Sequence, residues 1–227
     1  MSNDGIDVVA VALRRLLDLH GHTDVFSGAR RIADEPIHPG ERALYVGVDV
    51  KNRYATSTGR ALAREVLRNM GVAAGPMLRT TDGQCAWPAG IVGSIAHDDD
   101  VAICAVGVNV AFGIDVEPAL PLPAEIKSDV AVSDLERAAV GDDLVAARLL
   151  FCAKEAVFKA CFPLEQVFFE HADVLLDTPG PLSPSATFQT STKRIVDVAM
   201  TRVPRLLAVA RVRLSARASL ARAPQPR

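Results

Sequence analysis

Phe151-Cys152-Ala153-Lys154-Glu155-Ala156-Val157-Phe158-Lys159-Ala160 is the stretch on which the reading of this chain turns. Ala, Lys, Glu and Phe dominate it and neither Gly nor Pro interrupts it, so it reads as helix. Glu155 and Lys159 stand one turn apart on a single face. Val157, Phe158 and Cys161 flank them with apolar bulk. A carboxylate and an ammonium are therefore presented from an otherwise greasy helix. Alone they would be an ordinary surface ion pair, a common device of small energetic weight. What lifts the stretch above that is a second acidic pair upstream, Asp115 and Glu117, and a histidine, His97, before it.

The acidic pair lies in Gly113-Ile114-Asp115-Val116-Glu117-Pro118. On a strand alternate side chains share a face, so Asp115 and Glu117 point one way and Ile114 and Val116 the other. Two carboxylates on one side repel unless a cation sits between them. Hard oxygen ligands suit Mg²⁺, which borrows part of its shell from waters and substrate phosphates. The alternative is a solvated edge strand carrying two acids; the apolar surroundings favour the metal. His97 closes Trp87-Pro88-Ala89-Gly90-Ile91-Val92-Gly93-Ser94-Ile95-Ala96-His97, at the turn after an apolar run. It is placed either to donate to a phosphate or simply to fill a turn. Gly93-Ser94 allows a ligand to approach the backbone closely, and equally marks a bulge.

Composition narrows the classes. The 227 residues suit one large domain or two small ones. With 49% hydrophobic but 5% aromatic residues, the core must be built from Ala, Val and Leu. A net charge of -2 leaves no electrostatic footprint for nucleic acid. Cys85, Cys104, Cys152 and Cys161 form no CxxC pair and no zinc spacing, which suits reduced thiols in a cytoplasmic protein. The N-terminus lacks the positive start and clean apolar run of a signal peptide. No run reaches the roughly 18 apolar residues that a membrane span needs.

Local patterns predict helix over residues 6–19, ended by His20-Gly21-His22. Residues 23–39 read as loop. Two helices are expected between Glu41 and Met70: one through Leu44 to Val50, where β-branched alternation suggests a strand but the Glu41-to-Arg53 spacing favours helix, and a second around Gly59 to Leu67 with Ser57 or Thr58 as N-cap. Ile91 to Ile95, Val101 to Val108 and Ala111 to Val116 read as consecutive antiparallel strands. Pro118, Pro121 and Pro123 form a linker. Ser133 and Glu136 have capping-box spacing ahead of a short helix, and Leu144 to Cys161 is a long helix stopped by Pro163. Strands are expected at 166–169, 173–176, 185–190, 196–200 and 206–214. The chain divides into an N-terminal half (1–118), a C-terminal half (119–214) and a disordered tail (215–227).

Taken in order, the three motifs resemble the 4′-phosphopantetheinyl transferases of the surfactin-synthetase and enterobactin type. That family carries W-P-x-G-x-x-G-S-x-x-H, G-[IV]-D-x-E and [FW]-[SC]-x-K-E-[AS]-x-x-K, complete here as Trp87 to His97, Gly113 to Glu117 and Phe151 to Lys159. Three motifs in the right order are hard to obtain by chance. The resemblance implies an α+β fold of two similar α/β halves, a pseudo-dimer with the active site in the cleft between them. It implies transfer of the phosphopantetheine arm of coenzyme A to a serine of an apo acyl, peptidyl or polyketide carrier protein, with Mg²⁺ or Mn²⁺ as cofactor. By residue it implies metal ligands at Asp115, Glu117 and Glu155, and a general base at Glu155. Lys159 and His97 fall on coenzyme A phosphates. Arg60 falls near the 3′-phosphate, and Lys154, Ser94, Arg53 and Arg79 join the coenzyme A set. Arg53 lacks the Phe that usually follows it in the family, and Arg79 stands in for a lysine ahead of Trp87. Gly47-Val48-Asp49 mimics the Gly-x-Asp motif but has Lys51 where the Glu belongs. A cytoplasmic monomer that binds neither nucleic acid nor membrane is expected. The carrier would dock near residues 119–135. A Mg²⁺-dependent nucleotide hydrolase and a non-enzymatic carrier-binding protein are the competing readings.

Overall fold

The computed structural model describes residues 3–213. The tail expected to be disordered lies outside them. α1 (Asn3–Leu19) opens the chain and β1 (Phe26–Arg31) follows. A 3₁₀ turn (Pro39–Tyr45) precedes α2 (Val50–Asn69). β2 (Ile91–His97), β3 (Val101–Val108) and β4 (Phe112–Glu117) come next. Beyond the prolines lie α3 (Lys127–Val130), α4 (Asp134–Val140) and α5 (Leu144–Glu165). β5 (Val174–Leu176), β6 (Ser185–Thr190), β7 (Ile195–Thr201) and β8 (Leu206–Val212) complete the described chain. The class is α+β, with one antiparallel sheet ordered β1-β3-β2 and a second ordered β4-β8-β7-β6-β5.

Period-two alternation stacks these sheets. On β3, Ala102, Cys104 and Val106 pack under Leu62, Val66 and Leu67 of α2. The alternate residues Val101, Ile103 and Ala105 face α1 and share a core with Ile114, Val116, Leu207 and Val209 of the second sheet. The far face of that sheet, through Val196, Val198, Leu206, Ala208 and Ala210, packs on α5. Helix α5 is accordingly buried nearly all round, as a helix clad in Ala, Leu, Val and Cys must be. Since Phe112, Ile114 and Val116 face α1, the same alternation turns Gly113, Asp115 and Glu117 toward α5. No helix among the described residues is long and apolar enough to cross a membrane.

Several local expectations change. Residues 23–39 contain β1, which pairs with β3 from Phe26↔Val106 to Arg31↔Val101. Ser-Gly-Ala-Arg-Arg carries little strand propensity, and it is the free edge of an apolar neighbour that recruits it. With β1 and β2 filling both edges of β3, β4 has no edge of β3 to pair with, and it pairs with β8 in the second sheet. The division at residue 118 thus follows a strand that hydrogen-bonds into the second sheet.

The helix expected through Leu44 to Val50 breaks at Gly47, which has φ +75°. Asp49 then caps α2, its Oδ1 accepting from Asn52 N at 3.0 Å, so the Gly-x-Asp mimic is a helix start. Thr58 lies inside α2, and its hydroxyl accepts from Ala33 N and donates to Ala33 O, each at 3.1 Å. Pro163 does not stop α5. It removes one N–H from the last turn, and Gln166 ends the helix at φ +54°. Residues 166–169 form no strand, because Phe168 folds back to 4.8 Å from the ring of Phe162.

Candidate active site

The glycines of the three motifs are where elements touch. A Cβ on Gly113 would stand 2.5 Å from Ala160 N and closer still to Ala156 O, so α5 lies directly on β4 there. A Cβ on Gly93 would enter the Trp87 ring at 2.5 Å. Beside it, Ser94 Oγ accepts from Ile114 N at 3.1 Å, tying the edge of the first sheet to the edge of the second. This seam fixes β4 against α5 and decides which side chains can meet.

Asp115 is 5% exposed, and its Oδ1 accepts from Lys159 Nζ at 2.5 Å, while its buried Oδ2 has no partner. Burial raises the Asp115 pKa against the pull of Lys159, and the charge of Glu155 adds to the rise. Lys159 is itself desolvated, yet Asp115 and Glu155 hold its pKa above the ordinary value. Glu117 Oε2 accepts from Arg148 Nη1 at 2.9 Å. Its pKa is raised by burial and then by Asp115, with Arg148 opposing. Glu155 lies one turn back from Lys159, its Oε1 3.7 Å from His171 Nε2. That imidazole holds the Glu155 carboxyl below the usual range, against the opposing effect of burial.

Each of the three carboxylates is turned to a basic partner. Among the described residues no three or more His, Cys, Asp or Glu are gathered so as to hold a metal ion by themselves. Asp115 Oδ2 is buried with no hydrogen-bond partner among the described residues, while Glu117 meets Arg148 through Oε2 and Glu155 faces His171 through Oε1. Arg148, Glu155 and Lys159 stand at i, i+7 and i+11 on α5, one stripe facing β4. Sequence reasoning stopped at the last two. Extending the spacing two turns back would have found Arg148.

Next to the acidic group opens a cleft of ≈ 300 Å³ between α2, β2 and the end of α5. Arg60, Arg79, Ser94, His97 and Lys159 line it, with Phe158 and Pro163 as an apolar wall. Arg60 is buried and oriented by its Nε donating to Met77 O at 2.8 Å. Met77 N in turn donates to the buried Glu41 at 2.7 Å. His97 closes β2 at the cleft mouth, and desolvation followed by the charge of Lys159 lowers its pKa below the ordinary value.

Two expected residues stand apart from the cleft. Arg53 sits over the ring of Tyr54 at 5.2 Å and 3.7 Å from Asp34. Lys154 is 1% exposed, paired with Glu136 at 2.8 Å and donating to His171 O at 2.8 Å. Motif membership did not reveal that, because its partner comes from α4.

Comparison with known proteins gives one family. A model described as the 4′-phosphopantetheinyl transferase N-terminal domain matches residues 48–107, and one described as the 4′-phosphopantetheinyl transferase superfamily matches residues 111–201. The chain is 33% identical over 157 residues to the 4′-phosphopantetheinyl transferase Svp of Streptomyces mobaraensis, covering 63% of this chain and 64% of that one. It is 36% identical over 149 residues to PptT of Mycobacterium tuberculosis, covering 62% and 65%. To Npt of Nocardia iowensis it is 34% identical over 151 residues, covering 63% and 68%. The match thus spans a little under two thirds of the length of Svp and PptT.

Proposed function

The chain belongs to the 4′-phosphopantetheinyl transferase superfamily, and from that premise we propose that it acts on coenzyme A and an apo carrier protein. The phosphopantetheine arm passes to a carrier serine and adenosine 3′,5′-bisphosphate leaves. The observation that carries this reading is a basic cleft, with Arg60, Arg79, His97 and Lys159, opening beside a buried acidic group.

Coenzyme A is polyanionic, and arginine forks, a lysine and a histidine are apt clamps for its phosphates. Phe158 and Pro163 give the organic part of the molecule an apolar wall. Glu155, ionised and one turn from Lys159, takes the proton from the serine hydroxyl, directly or through a water. The serine oxygen then bonds to the phosphorus that bears pantetheine, and the bond from that phosphorus to the bridging oxygen breaks. Lys159 and His97 steady the charge that develops on the departing phosphate.

The donor set fits Mg²⁺ or Mn²⁺: three hard carboxylates, one with a buried oxygen that has no hydrogen-bond partner among the described residues. Asp115, Glu117 and Glu155 would hold the ion, which when bound neutralises pyrophosphate charge. Two sheets, each with a long helix on its outer face (α2 on the first, α5 on the second), support a pseudo-dimeric plan with coenzyme A in the cleft between halves. The partner class is an acidic helical carrier, of fatty-acid, polyketide or nonribosomal-peptide type, met by a cytoplasmic monomer. Residues 119–135 are its first docking ground.

Intact-mass spectrometry of apo carriers incubated with the protein, coenzyme A and Mg²⁺ tests the proposal. One phosphopantetheine should be gained, with metal, and lost in Glu155→Ala. No gain on any carrier class despite coenzyme A binding would make the protein a binding module. Phosphate release from nucleotides without a carrier would make it a hydrolase.

A further inference from the structure

His171 lies outside all three motifs, in the short 3₁₀ turn His171–Asp173 that follows α5. Its Nε2 points at Glu155 Oε1 across 3.7 Å, an electrostatic contact longer than a direct hydrogen bond. Its ring stands edge-on to Phe151, centroids 5.4 Å apart at 81°, which fixes the imidazole plane.

The turn beneath the imidazole is held from three sides. Asp173 Oδ2 accepts from Glu170 N at 3.0 Å. Asp173 O accepts from Ser191 N at 2.7 Å, anchoring the turn to the hairpin after β6. His171 O accepts from Lys154 Nζ at 2.8 Å. Lys154 cannot wander, since its ammonium also meets Glu136 Oε1 at 2.8 Å in a site 0–1% exposed. Glu136 accepts from Leu176 N as well, and its other oxygen accepts from Val132 N and Ser133 N. A saturated buried ion pair thus grips the backbone of a residue whose side chain faces the proposed base.

Resting on the transferase reading, we infer that His171 is a positioning residue for Glu155, held in place by the Lys154–Glu136 pair. Its imidazole keeps the carboxylate in one rotamer, toward the serine and the acidic group. Glu155 sits on α5 with a flexible stem; among the described residues its ion-pair contact is with His171, and Lys159 one turn on adds a longer-range attraction. Freed from the imidazole, it would sample several rotamers, and a base displaced by an ångström loses rate steeply.

The test compares wild type, His171→Ala, His171→Gln and Glu155→Ala in the full chain. Readouts are transfer kinetics with coenzyme A and an apo carrier, Tm, and Mn²⁺ affinity by electron paramagnetic resonance. His171→Ala should lower kcat about tenfold, leave KM for coenzyme A within about twofold and leave Tm within a few degrees. It should also weaken Mn²⁺ binding, by less than Glu155→Ala does. His171→Gln keeps a donor and should recover most of both losses. Unchanged kcat and Mn²⁺ affinity in His171→Ala overturn the inference. So does a loss that follows Tm and is not recovered by Gln. Should wild type modify no carrier, the transferase reading fails, and Mn²⁺ affinity then decides the placement of Glu155 alone. Equal values for wild type and His171→Ala would end it.

Discussion

Two lysines leave the same face-buried helix, Lys154 and Lys159, and each meets a buried carboxylate: Glu136 at 2.8 Å and Asp115 at 2.5 Å. The first pair is saturated. Both oxygens of Glu136 accept backbone N–H groups and Lys154 has a backbone carbonyl besides. The second is left incomplete. Among the described residues Asp115 Oδ2 is buried without a hydrogen-bond partner, and Lys159 lines the cleft. Buried polar groups are ordinarily satisfied, so an orphan beside an opening marks where a ligand completes the set, and a saturated pair marks architecture. The contrast also shows how one helix can carry a sealed lysine and a cleft-lining lysine little more than one turn apart.

The largest effect should come from breaking the saturated pair. Lys154→Met removes the ammonium that faces Glu136 and leaves its buried carboxyl to backbone N–H groups, at a cost of about 3–5 kcal/mol. Calorimetry should show Tm falling by roughly 10 °C. Coenzyme A affinity of the folded fraction should hold within about twofold. Lost affinity at unchanged Tm would put Lys154 in the cleft and erase the contrast.

On the open pair, Asp115→Asn should act oppositely. Transfer should fall about 10²–10³-fold, as for loss of a transition-state contact, while Tm moves little because burial already disfavours the charge. A Tm loss equal to that of Lys154→Met would make the two pairs alike. Smaller again is Gly113→Ala, which forces a methyl against the backbone of α5. Overpacking there should cost about 1–3 kcal/mol in denaturant melts, and transfer should drop with it as β4 shifts. Wild-type stability in this variant would show that α5 and β4 can part freely.

The finest test is electrostatic. Burial and Lys159 keep the free His97 imidazole below its ordinary pKa, so it is neutral in the open cleft at neutral pH. A phosphate bound beside it favours the imidazolium, so binding takes up a proton. Affinity for coenzyme A should therefore strengthen a few-fold as pH falls from roughly 8 to roughly 6, levelling below the free pKa. Calorimetric titrations should show that slope in wild type and none in His97→Gln. A flat wild-type profile would remove His97 from phosphate contact.

Much of the site is visible in the sequence because it is written in short-range periodicity. Alternation along Gly113 to Glu117 predicts two carboxylates on one side, and they face α5 together. The Glu155 to Lys159 spacing predicts one helical face, and the stripe runs along it. Ser133 and Glu136 make the capping box that their spacing promises. The fold is less legible. β1 has no strand-like pattern and forms on the edge that β3 offers, so that β4 finds no place beside β3 and pairs with β8. Pro163 fails to end α5 because a proline in the final turn removes only a single hydrogen bond. Arg53 belongs to the motif neighbourhood and yet finds its partner in Asp34 and its own neighbour Tyr54.

The sequence by itself determined which residue types share a face, since 2.0 and 3.6 residue periods belong to the local chain. It therefore determined that Asp115 and Glu117 are together, and that Glu155 and Lys159 are together. Only the tertiary structure decided that Lys159 opens to a cleft while Lys154 is sealed, and that His171 comes to Glu155. Burial and pairing depend on what packs opposite, and those partners arrive from β4, 44 residues away, and from separate elements such as α4 and the turn after α5.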